Sequence, residues 1–243
     1  MTITTTALQT IINHAETISI DRRRSIGIQY TKSEIANVTE IITRLPWQFK
    51  VKTSAYFDYA DPATRRLLEQ LDYMDRRYPE TVSFANNSNL SYFFAYQGDM
   101  TALQQAAVTV TSFAGTTLTI GNVEGLISGQ YVVRQGDFLQ IQGFPYPFTA
   151  VSDVEYTGAS SYTITTHRPN FMAVSNGYTN QHINFGNAVQ FKMLCSNTPT
   201  YSFVTAYNTA AIVFDSEFQL YEYTGPVTTN INEVVTGGSG GIL

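Results

Sequence analysis

The sequence predicts a mainly β protein that carries one packed α-helix and an inserted small β-barrel, and three observations lead there. Tyr and Phe number 16 and 15, and the aromatic share of 13% nearly equals the 14% of charged residues, a composition that leans toward strands. Strict alternation of apolar and polar residues recurs in SIGIQYT (25–31) and WQFKVKT (47–53), the period-2 mark of half-buried strands. From about residue 104, short Thr- and Val-rich runs follow one another, most of them bounded by Gly, Asn or Asp.

Along the chain, ALQTIINH (7–14) has the make-up of a short helical turn, but the Thr-rich start before it favours an extended arm. Next, Ile26, Ile28 and Tyr30 alternate with Gly27, Gln29 and Thr31. TKSE turns the chain, and residues 35–43 continue as a β-branched, mixed strand. Trp47, Phe49 and Val51 then point opposite to Gln48, Lys50 and Lys52, so three strands are expected in the first 53 residues. Residues 22–53 make a ribbon too polar for a core and too long to stand alone, which points to partners outside the chain.

DPATRRLLEQLDYMDRRYP reads as a helix. Asp61 is a good N-cap with Pro62 at the first helical position, and Pro79 is the expected stop. Leu67, Leu71, Met74 and Tyr78 recur at spacings of four, three and four, one face that docks the helix onto a sheet, and Asp72 and Arg76 can pair one turn apart. VSFAN and LSYFFAY read as two strands around the turn NNSN. The runs VTVTS, TLTIG, QYVVR, DFLQIQG, YPFTAVSDVEY and SYTITTH build the barrel, and INFGNAVQFKML closes it or returns the chain to the first unit. AAIVFDSEFQLYEYTG reads as a hairpin turning at DS. The expected organisation is a discontinuous domain, 1–103 plus 190–225, an inserted β-barrel domain, 104–189, and an extended Gly/Ser-rich tail, 226–243.

The net charge of −5 is unevenly spread. Residues 1–80 hold eleven Lys/Arg against ten Asp/Glu, a balance of +1, and residues 81–243 hold three against nine, a balance of −6. A binder that relies on phosphate contacts needs a basic face, so tight nucleic-acid binding is disfavoured; an acidic wall past which DNA slides is compatible with this balance. Cys195, the single cysteine, excludes an intrachain disulfide framework and a Cys-based zinc site and fits assembly in a reducing cytoplasm. MTITTTALQTIINHAETISI has neither a basic start nor a long apolar run, so no signal peptide is expected, and no stretch approaches the roughly 20 apolar residues of a membrane span.

No residue set recommends catalysis or metal binding. His14, His167 and His182 form no HxxxH, HxH or Cys-assisted pattern, and His167 in THRPN reads as a loop hydrogen-bonder. Asp137, Asp153 and Glu155 could supply a glycosidase carboxylate pair, but Asp137 in RQGDF reads as a turn residue. GGSGG lacks the Lys-Ser/Thr that a phosphate loop needs. The aromatics Phe144, Tyr146 and Phe148 in GFPYPF form a candidate stacking loop for a sugar or base, but the stronger reading is a tight loop fixed by Pro145 and Pro147 before the strand FTAVSDV. Arg22, Arg23 and Arg24 suit either a solvated face or bidentate pairing with carboxylates of a neighbouring subunit.

The order of these parts is itself informative. An Arg-rich strand leading into RSIGIQYT, a long ribbon, PWQFKV, an amphipathic helix, an inserted module with GDFLQI and HRP, and a closing FQLYEY together resemble tail proteins of tailed bacteriophages. The layout is most similar to tail-tube-like baseplate and distal-tail components of the tail tube initiator type. The resemblance implies a tail-tube-like β-sandwich with one packed α-helix and an inserted small β-barrel. It also implies a homohexameric ring at the tube/baseplate junction of the virion, assembled in the host cytoplasm, without catalysis or cofactor. The ribbon, with Arg22, Arg23, Arg24, Ile26, Ile28 and Tyr30, would join a lumen-lining barrel, and Leu67, Leu71 and Met74 would dock the helix. Tail tube and hub proteins would stack above and below, and DNA would pass through the lumen without specific binding. The alternative is a carbohydrate- or receptor-binding module of a tail tip, with GFPYPF as its platform.

Overall fold

Apolar side chains at every second position dictate a sheet, and the chain forms several antiparallel ones. In this computed structural model the described residues are 6–21, 26–30, 36–40, 46–53, 57–74, 78–170, 178–206 and 209–225, with backbone alone for 26–30, 36–40, 206 and 209.

The chain opens with helix α1 (Ala7–Asn13), not an extended arm. The Thr6 hydroxyl accepts from Gln9 N–H, and Ala7, Leu8, Ile11 and Ile12 all lie buried on one face, so the apolar face overrides the Thr-rich approach. Strands β1 (Ala15–Asp21), β2 (Ile26–Tyr30), β3 (Ala36–Glu40) and β4 (Gln48–Thr53) follow, four where three were expected. The unforeseen strand is β1. It lies on the edge of its sheet, where only one neighbour shields it, so AETISID has no clean alternation. After β5 (Phe57–Asp58), helix α2 (Pro62–Tyr73) starts as expected, with the Asp61 carboxylate accepting from Ala63 N–H at 2.9 Å. Leu67, Leu68 and Leu71 are buried and Met74 packs partly buried on the same core, but the helix ends at Tyr73 instead of running on to Pro79; Arg76 lies outside the described residues.

Past β6 (Glu80–Val82), LSYFFAY is not a strand: Ser91–Phe94 form a 3-10 turn. The cause is Asn87. Its Oδ1 accepts from Asn89 and Leu90 N–H, both at 2.8 Å, while its Nδ2 donates to the Ile12 (2.5 Å) and Ala15 (3.1 Å) carbonyls, so side-chain bonds organise this backbone in place of a ladder. The middle of the chain holds α3 (Ala102–Ala107), β7 (Thr109–Ala114), β8 (Thr117–Gly121), β9 (Tyr131–Val133), β10 (Phe138–Ile141), β11 (Phe148–Thr149), β12 (Val154–Glu155), β13 (Ser161–Thr165) and β14 (Ile183–Phe185). Strands β15 (Phe191–Asn197), β16 (Tyr201–Ala206), β17 (Thr209–Phe214) and β18 (Phe218–Glu222) complete it.

The main sheet has the order β1-β4-β18-β15-β6, and a second sheet has the order β16-β17-β5. The expected hairpin at DS is therefore not one. Strand β17 pairs with β16 and β5, while β18 crosses to pair with β4 and β15. Asp215 accepts the Thr200 (2.9 Å) and Ser202 (3.0 Å) hydroxyls, which fastens the turn residue to β16 rather than β18. In the middle segment, two three-stranded sheets, β13-β8-β7 and β11-β10-β14, share no continuous ladder and meet at single-residue bridges, Thr109 to His182 and Ala150 to Thr166, each flanked by a few backbone hydrogen bonds. Among the described residues no closed barrel forms, because several of these strands are only 2 or 3 residues long and leave the ladder broken at its corners.

Two hydrophobic clusters result. One draws on residues 7–94 and 189–220 together with Phe138; the other draws on residues 100–185. The chain crosses between them twice, and the crossings touch at Gly186. Its φ is +60°, and a Cβ there would stand 2.5 Å from the Tyr96 backbone nitrogen and 3.0 Å from the Phe94 carbonyl. Gly115 has a similar φ of +55° with nothing within 4 Å. Gly186→Ala should therefore cost about 2–3 kcal/mol and Gly115→Ala only about 1 kcal/mol, measured as shifts of the urea midpoint. Equal losses would show that close backbone packing at the crossing is unimportant.

Candidate functional site

Two features stand out once the sheets are in place: a buried polar seam between the clusters, and strand edges left open among the described residues.

The seam is built from β18 upward. Phe218, Leu220 and Glu222 alternate on its inward side and all three are buried, so a carboxylate occupies a core position. Arg168, on the loop after β13, meets it in a bidentate pair, with Nη1 donating to Oε2 at 2.5 Å and Nη2 donating to Oε1 at 2.7 Å, both side chains fully buried. Arg168 Nη2 also donates to the Pro147 carbonyl (2.7 Å), which accepts from Trp47 Nε1–H (3.2 Å) as well; Trp47 N–H donates to Glu222 Oε2 (3.1 Å). One network thus ties β18, the residue before β4, the Pro147 turn and the HRP loop. Burial pushes the Glu222 carboxyl up, against the lowering pull of Arg168 and the Trp47 amide. The His167 ring lies tilted against Trp47, with ring centroids 5.0 Å apart, and accepts from Thr149 N–H through Nδ1 (3.0 Å).

Terminal strands with a single neighbour include β1 and β6 of the main sheet, and two hairpins among the described residues present theirs outside it. Strands β1 and β4 pair with Asp21 opposite Gln48, and the chain between them holds the β2–β3 hairpin, in register from Ile26–Glu40 to Tyr30–Ala36. That hairpin is a two-stranded sheet that pairs with no other strand among the described residues. Ile26, Ile28 and Tyr30 occupy alternate positions of β2; Arg22, Arg23 and Arg24 lie outside the described residues. The second hairpin is β16–β17. Ser202, Phe203, Val204 and Thr205 are consecutive and all exposed, so both faces of β16 meet solvent, with Phe203 at 58% and Val204 at 37%. Phe203 rests edge-on against Tyr59 (5.2 Å), whose ring lies under the Arg65 guanidinium. No strand covers the outer edge of β16 among the described residues.

The remaining sequence candidates fall inside the fold. Tyr146 and Phe148 are core side chains, and Tyr146 Oη donates to the Gly225 carbonyl (2.6 Å); Phe144 is half-buried against Tyr178. The GFPYPF platform therefore keeps no more than one ring for a ligand, because burying these large rings is worth more than exposing them. Asp137 is buried and accepts from Gln97 (2.7 Å) and Arg134 (2.8 Å) N–H; burial pushes its carboxyl up. Asp153 accepts from Gln135 N–H (2.7 Å). Both act as backbone acceptors in turns. Among the described residues, no three His, Cys, Asp or Glu side chains gather as a metal site, and no helix is long and apolar enough to cross a membrane.

No family model matches the chain, and no curated protein matches it. Sequence reasoning missed the Arg168–Glu222 pair, although a signal was present: in FQLYEY the period-2 inward set ends on a carboxylate, which a core position admits only with a cation opposite.

Replacing Arg168 by Met leaves Glu222 buried without its cation, so its folded pKa lies further above the unfolded value. A raised folded pKa means that the folded state holds the proton more tightly. The penalty is absent below the unfolded pKa and grows as pH rises through the folded one. Arg168→Met should cost about 3–5 kcal/mol near pH 7 and much less near pH 4, and Arg168→Met/Glu222→Leu should recover most of the loss. Urea unfolding at the two pH values checks this; a loss independent of pH would remove the ion pair from the account.

Proposed function

We propose that the chain is a structural subunit of a bacteriophage tail, closing a ring of identical copies at the tube/baseplate junction through its two open hairpins. The observation that carries this reading is the β2–β3 hairpin, a two-stranded sheet without a further strand among the described residues, set on a chain whose β16 edge is equally open. An isolated hairpin is at best marginally stable in water, and an exposed edge with Phe203 and Val204 invites pairing. Ring closure satisfies both edges, each copy offering one hairpin to the next.

The resemblance in layout to tail-tube-like baseplate and distal-tail proteins adds the finer reading. The main and β16-β17-β5 sheets act as the tail-tube-like sandwich. The middle segment acts as an interrupted small barrel, its two sheets joined at both ends by the single bridges. Residues 1–103 with 190–225 and residues 104–189 act as two domains. The ring is sixfold, sits in the virion between tail tube protein and hub, lets DNA pass without binding it, and has no catalytic role. The acidic balance of residues 81–243 supports passage over binding.

The full chain at micromolar concentration should sediment as a closed ring, visible by negative stain. Phe203→Lys/Val204→Lys, or Arg22, Arg23 and Arg24 all replaced by Glu, should reduce it to a folded monomer with unchanged circular dichroism. A wild-type chain that stays monomeric and fully folded would overturn the ring.

A further inference from the structure

Helix α3 buries none of its residues. Polar bonds hold ALQQAA in place: the capping box of Thr101 and Gln104, Gln104 Nε2 donating to the Glu124 carbonyl (3.0 Å), and Gln105 Nε2 donating to the Met100 carbonyl (2.9 Å). Leu103 is thereby presented at 84% exposure. Between the helix and the loop after β8 lies an open cleft of about 390 Å³ lined by Leu103, Gln104, Ala107, Asn122 and Glu124. Gly125 of that loop lies against Gln104, where a Cβ would stand 2.6 Å from Nε2, and two residues on, Ile127 is 73% exposed. Leu103 and Ala107 supply the apolar surface of the cleft and Gln104, Asn122 and Glu124 its polar walls, with side-chain bonds fixing their shape.

The charges decide what covers it. Glu124 forms part of the wall, and Glu155 lies beside Gly129 of the same loop. Arg134 and Arg168 are the only Lys or Arg from residue 100 to 186. Arg168 is buried, and Arg134 lies over the Tyr131 ring with Asp99 4.0 Å away. An acidic rim repels nucleic acid. Matching cations are on this chain: residues 1–80 balance at only +1, but within them Lys50 and Lys52 project from one face of β4, both exposed.

We propose that a second copy of the chain docks here head to tail, seating its Lys50 and Lys52 face over Leu103 and Ile127. Lysine stems cover aliphatic side chains while their ammonium groups reach carboxylates at the rim, here Glu124 and Glu155. Two different patches in contact form a heterologous interface, the type that closes into rings. This inference rests on the ring reading and gives that ring a second contact, away from the hairpins.

The test uses the full chain, with Leu103→Asp/Ile127→Asp and Lys50→Glu/Lys52→Glu compared with wild type by sedimentation velocity at low and high salt and by circular dichroism. Both double variants should stay folded and associate at least about tenfold more weakly. Combining Lys50→Glu/Lys52→Glu with Glu124→Lys/Glu155→Lys should restore association. A wild type that assembles alongside variants that assemble equally well overturns this contact and leaves the hairpin ring intact. A wild type that is monomeric throughout overturns the ring reading and this contact with it. If the aspartate variant is unfolded, the lysine pair alone decides.

Discussion

The fully buried Arg168–Glu222 pair is the constraint on which the molecule's arrangement depends. It joins a loop of the middle segment to the last strand of the main sheet, at the seam between two separate cores. Two ions taken out of water gain back through their attraction little more than desolvation costs, so the pair adds little net stability. Its effect is geometric. A guanidinium locked on both carboxylate oxygens and on the Pro147 carbonyl, with Trp47 bonded to the same two partners, admits one docking of the cores. Apolar contact alone would tolerate sliding; this fork does not.

That single docking matters because of where Trp47 stands. It directly precedes β4, and β4 pairs with β1 on the side from which the chain runs out into β2 and β3. The aromatic packing of Trp47 with Phe49, Phe138 and Phe191 fixes the foot of the hairpin in the first core, each such pair contributing about 0.5–1.5 kcal/mol beyond its burial. The seam network fixes the same residue to the other core. The base of the ribbon is thus held by both clusters, whereas its strands pair with nothing further among the described residues.

How much was legible follows from where side chains answer to local rules. WQFKVKT, TLTIG and SYTITTH form strands as their alternation requires, and Asp61–Pro62 start the helix by their own chemistry. The misses share a cause. In LSYFFAY, a distant partner of Asn87 decides the backbone; at DS, the destination of β18 is set by Glu222 finding Arg168, 54 residues away in sequence. Strand β1 shows no pattern because an edge strand is not required to show one. The seam was half legible, through a carboxylate at an inward position. Its cation was not, since the HRP loop offers no period to read.

Open edges make a chain sticky, and stickiness without direction leads to fibres or precipitate. A defined ring results when two complementary edges differ and are held at a fixed angle, so that repeating the contact returns to its origin. In the proposed ring the difference would come from two hairpins of unlike composition, IGIQY with ANVTE and YSFVTA with TAAIVF, and both hang from one core, in which Phe49 and Val51 anchor the first and Phe57 and Ile212 the second. Their mutual angle would then follow from the packing of that single core rather than from the joint between cores. The buried pair sets a different angle, that between those hairpins and the α3 cleft beside the other core, and in the proposed ring that is the angle on which the head-to-tail contact would depend.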